Sequence, residues 1–278
     1  MRLEARKLTA GYGSDFCITD ADIVIEERRV TGIIGPNGAG KSTLLRALAR
    51  VIKPQRGVVL LDGEVLHQLP GRLVAKKLAF LGQPLEGVPD LTIEELAYRG
   101  RFPHQTMLRR DAAADREAVD WALEAMNLES MRRRPLKQLS HGEMRRAWTA
   151  LALAQQPDIL LLDEPTAFLD MAHQFELLDL LSKLTDHGVT IVVSMHDLWL
   201  TAIYCQRVIA MSGGRIVAAG PTDEVLTVDL IREIFGVEVA MQPHPSVAGR
   251  HIALPISRRR EAAPAEPAPN PATRPSPH

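Results

Sequence analysis

The stretch Gly35-Pro36-Asn37-Gly38-Ala39-Gly40-Lys41-Ser42 follows an apolar run, Val30 to Ile34, and leads into helical spacing that begins at Lys41. A G-x-x-x-x-G-K-[ST] segment between a strand and a helix has the form of a phosphate loop. Its glycines let successive backbone N–H groups turn inward around an anion. The helix that follows presents unpaired N–H groups and its positive dipole end to the same anion. Lys41 is placed to bridge β- and γ-phosphates, Ser42 to give a hydroxyl to Mg²⁺, and Thr43 to donate to an inner phosphate, which makes ATP with Mg²⁺ the expected ligand. A glycine-rich turn without a ligand is the competing reading, and the strand and helix flanks argue against it.

A second pair of reactive groups lies farther along. Four apolar residues, Ile159 to Leu162, deliver Asp163 and Glu164 at the carboxyl end of a strand, where ligands sit in open parallel sheets. Asp163 is expected to hold Mg²⁺ through water, and Glu164 to act as the general base that activates the attacking water. Pro165-Thr166 leaves a plainer role open for Glu164, as a helix cap.

These residues need a scaffold of alternating strands and helices. Strand patterns occur at Ile18 to Ile25, Val30 to Ile34, Val58 to Leu61, Leu78 to Leu81, Asp158 to Asp163, Val189 to Ser194 and Val208 to Met211. Helical patterns cover Lys41 to Val51, Thr92 to Tyr98, Asp111 to Asn127, Gly142 to Gln155 and Met171 to Asp186. Alternation of this kind predicts a parallel sheet. The Ala-, Arg- and Glu-rich stretch from about Leu91 to Gln156 reads as a helical insertion. The 278 residues carry 33 Lys+Arg against 34 Asp+Glu, so no global basic field exists to hold nucleic acid. No apolar run approaches the roughly 20 residues needed to span a bilayer, and the start, Met1 to Lys7, has no secretory pattern. Cys17 and Cys205 stand apart without metal-ligand spacing and are read as free thiols. Glu261 to His278 holds six prolines in eighteen residues and is expected to be disordered.

Taken together, the segments resemble the ATPase subunits of ATP-binding cassette (ABC) transporters over roughly Met1 to Pro255. The resemblance implies an α/β, P-loop NTPase fold: a RecA-like parallel sheet core, about 1–87 and 157–240, with an N-terminal antiparallel β part and a helical subdomain inserted at about 88–156. The ATPase domain would then span 1–256 and the Pro/Ala-rich tail 257–278. Tyr12, in Gly11-Tyr12-Gly13, matches the aromatic that stacks on adenine. Gln83 resembles the glutamine that contacts Mg²⁺ and the lytic water, and His196 the switch histidine at the γ-phosphate. Leu139-Ser140-His141-Gly142-Glu143 corresponds to the signature Leu-Ser-Gly-Gly-Gln, which binds ATP held by the opposite subunit; Ser140 and Gly142 keep the pattern, whereas His141 and Glu143 depart. Ser140 and Glu143 are also spaced as a capping box, so Glu143 is expected to rigidify the helix start while adding negative charge near nucleotide. Asp170, in Ala167-Phe168-Leu169-Asp170, resembles the residue that meets the partner's phosphate loop.

The resemblance further implies a head-to-tail ATP-sandwich dimer with a second copy of the chain, integral membrane permease subunits, and indirectly a substrate-binding protein. It places the chain peripherally on the cytoplasmic face of a bacterial inner membrane, with about Val88 to Arg110 receiving a short helix of the permease. Gly100 to His104, Leu169 to Gln174 and the run Pro243 to Pro255 look like subunits serving importers of ferric siderophores, with haem and cobalamin importers close behind. A soluble ABC ATPase of DNA repair or chromosome organisation shares the nucleotide motifs, but would carry a long heptad coiled coil or zinc cysteines, and the sequence has neither.

Overall fold

A computed structural model describes residues 2–13, 16–82, 87–105, 111–244, 247 and 249–258. Two strands open the chain, β1 (Leu3–Tyr12) and β2 (Phe16–Ile25), followed by β3 (Val30–Ile34) and α1 (Lys41–Leu48). Next come β4 (Arg56–Leu61), β5 (Glu64–Val65), α2 (Gly71–Lys77) and β6 (Leu78–Leu81). Three helices, α3 (Ile93–Arg99), α4 (Ala112–Ala125) and α5 (His141–Ala154), separate β6 from β7 (Ile159–Leu162). Beyond β7 lie α6 (Met171–Asp186), β8 (Thr190–Ser194), α7 (Leu198–Tyr204), β9 (Arg207–Ser212) and β10 (Arg215–Pro221). The described chain ends with α8 (Thr222–Val225), α9 (Val228–Phe235) and a hairpin of β11 (Val237–Pro243) and β12 (His251–Arg258).

A six-stranded sheet in the order β10-β9-β3-β8-β7-β6 forms the centre. Its strands from β9 to β6 pair in parallel, and β10 closes one edge antiparallel. Alternate residues of each strand serve two cores, as the twofold side-chain period requires. Leu160, Leu162, Ile191, Val193, Val208 and Ala210 face the helices α3 to α7. Ile159, Leu161, Val192, Ile209 and Met211 face α1 and the antiparallel sheet β2-β1-β4-β5. The helix-side core runs without a break from these strands into Leu96, Val119, Leu123 and Ala150, so the inserted helices are fastened to the sheet by shared apolar packing.

Capping fixes where those helices begin. Thr92 and Glu95 form a capping box at α3, Asp111 caps α4 through Ala114 N–H, and Ser140 and Glu143 form a second capping box at α5. The helix read from periodicity at Met171 to Asp186 has those same bounds in the structure, with Asp170 as its cap. The strand β1 has no counterpart in the sequence reading. Lys7 has φ 47, and the pairing of β1 with β2 shifts register on both sides of Leu8, so the chain breaks the period-2 pattern by which strands are recognised. The hairpin β11–β12 has no counterpart in the sequence reading either: Pro255 interrupts the apolar run, and it is tolerated because, among the described residues, β12 pairs with β11 alone. Residues from 259 onward, which hold the proline-rich tail, lie outside the described residues.

Candidate functional site

The loop between β3 and α1 is built on three backbone conformations that L side chains rarely adopt, at Gly35 (φ 152), Gly38 (φ 79) and Gly40 (φ 103). A Cβ at Gly35 would come 2.3 Å from the Met211 carbonyl oxygen, so the tight approach of this loop to β9 admits no side chain. Gly40 occupies the cap position of α1 without a side-chain bond, which leaves the first N–H groups of the helix open to an anion. Pro36 accepts from Ala39 N–H at 3.1 Å and closes the turn around Asn37 and Gly38, both exposed. Lys41 is buried, and its Nζ donates to the carbonyls of Gly35 (2.8 Å) and Pro36 (3.2 Å). Burial pushes the ammonium pKa down, while Glu164 and Asp163 push it back up. Thr43 is buried within the first turn of the helix.

Because β7 and β8 are neighbours in the sheet, their carboxyl ends meet beside this loop. Asp163 is fully buried. Its Oδ1 accepts from Ser42 Oγ and Ser194 Oγ, each at 2.9 Å, while its Oδ2 has no hydrogen-bond partner among the described residues. A buried carboxylate oxygen without a donor, beside a serine hydroxyl, is the hard-oxygen environment that suits Mg²⁺, so the residues fit the ion expected from the sequence. Glu164 stands in the left-handed region at φ 48, and its N–H donates to Ser194 Oγ at 2.8 Å. Its Oε1 lies 2.7 Å from His196 Nε2. The structure therefore brings Lys41, Ser42, Asp163, Glu164 and His196 into one group. Gln83 lies outside the described residues, although its neighbour Gly82 reaches the same region through Arg145.

Tyr12, 51% exposed at the end of β1, accepts from Arg46 Nη1 at 2.9 Å, and the Arg46 guanidinium lies 6.0 Å from its ring centroid. An exposed ring tied in this way to the helix of the phosphate loop can offer a face to a flat base.

Ser140, Gly142 and Asp170 form a second group. Ser140 N–H donates to Glu143 Oε2 (2.8 Å), and Glu143 N–H donates to Ser140 Oγ (3.2 Å). Arg134 Nη1 binds Glu143 Oε1 at 3.1 Å. The Ser140 N–H and this guanidinium hold the carboxyl of Glu143 below its ordinary value. The expected rigid helix start is present, and the negative charge expected to accompany it is offset by Arg134. A Cβ on Gly142 would sit 2.5 Å from Cδ2 of His173, whose Nδ1 lies 2.8 Å from both carboxylate oxygens of Asp170. Asp170 thus caps α6 and orients the imidazole that packs on Gly142. One cleft of about 450 Å³ is lined by Ser140 and His141 of this group together with Trp148, Glu164 and Phe168, among others. Sequence reasoning missed Ser194, Arg145 and His173: a strand-end serine, a helix arginine and a helix histidine carry no local signal of what they touch.

The pattern of the ABC transporter family matches residues 18–167. The probable siderophore transport system ATP-binding protein YusV of Bacillus subtilis (strain 168) is 42% identical over 259 residues, which cover 93% of this chain and 94% of that protein. The ferric enterobactin transport ATP-binding protein FepC of Escherichia coli (strain K12) is 40% identical over 258 residues, covering 92% and 95%. Among solved structures, a dimeric bacterial ABC transporter cassette superimposes with a TM-score of 0.68 at 27% identity, covering 79% of this chain and 98% of that one. With the phosphate loop, the paired acids and the signature segment in the arrangement described above, the chain belongs to the ABC transporter family as one of its ATP-binding proteins.

Proposed function

We propose that two copies of this chain close head to tail over two ATP·Mg²⁺, hydrolyse them, and drive a membrane permease that imports a ferric siderophore or related iron chelate. The observation that carries the ATPase reading is the single hydrogen-bonded group formed by Ser42, Asp163, Ser194 and Glu164 beside the phosphate loop. Asp163 and Ser42 are the residues that would hold Mg²⁺, with Gln83 assigned to it by resemblance; when bound, the ion neutralises charge on the β- and γ-phosphates. Lys41 exchanges its two loop carbonyls for phosphate oxygens. Glu164 accepts a proton from water as the water oxygen bonds to the γ-phosphorus; the β–γ bridge bond breaks and ADP leaves with its electron pair. His196, in contact with Glu164, would take the γ-phosphate role assigned to it by resemblance.

Dimer formation rests on Ser140, Gly142 and Asp170, whose side-chain hydrogen bonds among the described residues stay within their own segments and which the family resemblance assigns to nucleotide held by the opposite subunit. It rests also on Phe168, 96% exposed at φ 63 in the segment before Asp170, an aromatic surface suited to burial against a partner. The cargo rests on the relatives, whose names specify siderophore, ferric enterobactin, iron(3+)-hydroxamate and petrobactin systems. The chain would sit on the cytoplasmic face of the inner membrane, with the helices between β6 and β7 as the moving, permease-facing part.

Tagged Glu164→Gln chain, captured from detergent-solubilised membranes of its host with ATP·Mg²⁺, tests this. The variant is expected to bind ATP and lose turnover by about 10²-fold or more, and to retain a polytopic permease whose loss abolishes ferric chelate uptake. Normal turnover would overturn the assignment of the base. Recovery of soluble proteins or nucleic acid alone would overturn the transport reading.

A further inference from the structure

Glu164 is held at φ 48, a left-handed conformation that a non-glycine residue adopts at a cost, and such strain persists only where the surroundings fix it from several sides. One restraint is Ser194, which accepts the Glu164 N–H. His196 meets its carboxylate, Ala167 N–H donates to its carbonyl, and Arg145, on α5, holds the backbone on either side of it. This arginine is only 7% exposed, and it makes no hydrogen bond to a carboxylate among the described residues. Its guanidinium instead donates to three backbone carbonyls: Nη2 to Asp163 O (2.9 Å), Nε to Pro165 O (3.1 Å) and Nη1 to Gly82 O (3.4 Å). Two of these carbonyls bracket Glu164, and the third, of Gly82, follows directly on β6. Burial pushes the guanidinium pKa down to about 10, against the pull of Asp163 and Glu164. A buried cation spent wholly on carbonyls is a geometric clamp, because the planar fork fixes the relative position of the groups it joins.

We propose that Arg145 is a positioning residue for hydrolysis, which grips the backbone on both sides of Glu164 and locks the base to the helix that carries Ser140 and Gly142. Ser140 caps α5, and Arg145 follows little more than one turn later on the same rigid element. Resting on the sandwich reading, the clamp makes contact between this helix and the opposite nucleotide felt at the chain's own catalytic base. Closure at one site and readiness at the other become one motion. Ser194 alone could hold the Glu164 N–H, but it cannot report the position of α5.

The test compares wild type, Arg145→Gln and Arg145→Lys in the full chain. It measures melting temperature, affinity for a fluorescent ATP analogue, kcat, KM and the cooperativity of turnover with ATP. In folded variants the affinity is expected to stay at the wild-type level, since Lys41 and the loop are untouched. The kcat is expected to fall by about 10²-fold in Arg145→Gln, as for a displaced catalytic group, and the ATP dependence to become hyperbolic. Arg145→Lys restores part of kcat, because an ammonium reaches fewer carbonyls. A purely structural role predicts a lower melting temperature with kcat per folded molecule and cooperativity unchanged, and that result overturns the proposal. If Arg145→Gln does not fold, Arg145→Lys decides, and wild-type kcat with wild-type cooperativity in that variant overturns it. Absence of turnover in wild type refutes the ATPase reading itself and this proposal with it, whereas equal turnover in wild type and variants refutes only the role of Arg145.

Discussion

Replacing Asp163 with asparagine should raise the stability of the free chain and lower that of the nucleotide-bound chain, so the two melting curves exchange order. The carboxylate is fully buried and, among the described residues, has two hydroxyl donors on Oδ1 and none on Oδ2, out of about four bonds it can accept. Asparagine keeps the Oδ1 acceptor for Ser42 and Ser194 and removes an under-satisfied charge. An unpaired buried polar group costs about 1–3 kcal/mol, more when charged. The amide still leaves a neutral group unpaired and forfeits attraction to Lys41 and Arg145, so the net gain is set at about 1 kcal/mol. With an unfolding entropy of about 2.1 cal/mol/K per residue over 278 residues, that raises the melting temperature by about 2 °C. A ligand at a hundredfold excess over its dissociation constant adds about 2.7 kcal/mol to wild type, or about 5 °C. If losing the carboxylate weakens binding about 10²-fold, the variant gains only about 0.4 kcal/mol, under about 1 °C. Calorimetry with and without a non-hydrolysable ATP analogue and Mg²⁺ reads both effects. A lower melting temperature for the free variant would refute the claim that Asp163 is under-satisfied. Equal ligand-induced shifts would refute its place in holding Mg²⁺.

Asp115→Ala removes the buried partner of Arg101, which it meets at 2.9 Å with both side chains under 10% exposed; the expected loss is about 3–5 kcal/mol, or roughly 5–9 °C in a thermal melt, and a shift under about 2 °C would show that Ala154 O and Gln156 satisfy Arg101 by themselves. Gly142→Ala should push His173 out of its seat at a cost of about 1–3 kcal/mol and slow ATP turnover; His173→Ala in the same chain is expected to recover the stability, and an additive loss would sink the argument. The Ser140 N–H and then Arg134 depress the folded-state pKa of Glu143. Its stabilising effect is thus complete above the ordinary value near 4.5 and is lost as pH falls through the lower folded value. Between neutral pH and the acid range, the melting temperature of wild type should therefore drop more than that of Glu143→Gln, and parallel curves would contradict the capping role. At neutral pH the same variant should change ATP turnover little, because Arg134 already offsets the carboxylate.

Short-range spacing accounts for what could be read without coordinates. The phosphate loop, the two acids after Ile159 to Leu162, the Ser140 to Glu143 box and the span of α6 each depend on residues a few positions apart, where glycine conformations, side-chain caps and hydrophobic period act directly. Where the local pattern was broken, at the bulged strand β1 and the proline-bearing strand β12, the reading stopped, because pairing with a neighbour overrides a disturbed period. The workings of the site belong to the other class. Ser42 reaches Asp163 across 121 residues, Ser194 across 31, and Arg145 reaches carbonyls 18, 20 and 63 residues away. These meetings follow from the order β3-β8-β7-β6, which lines up the carboxyl ends of strands distant in the chain, and from α5 packing across them. A residue's type announces what it can bond. Only the sheet register decides what it meets, since that choice is made by the burial of two continuous cores and not by any neighbour in sequence.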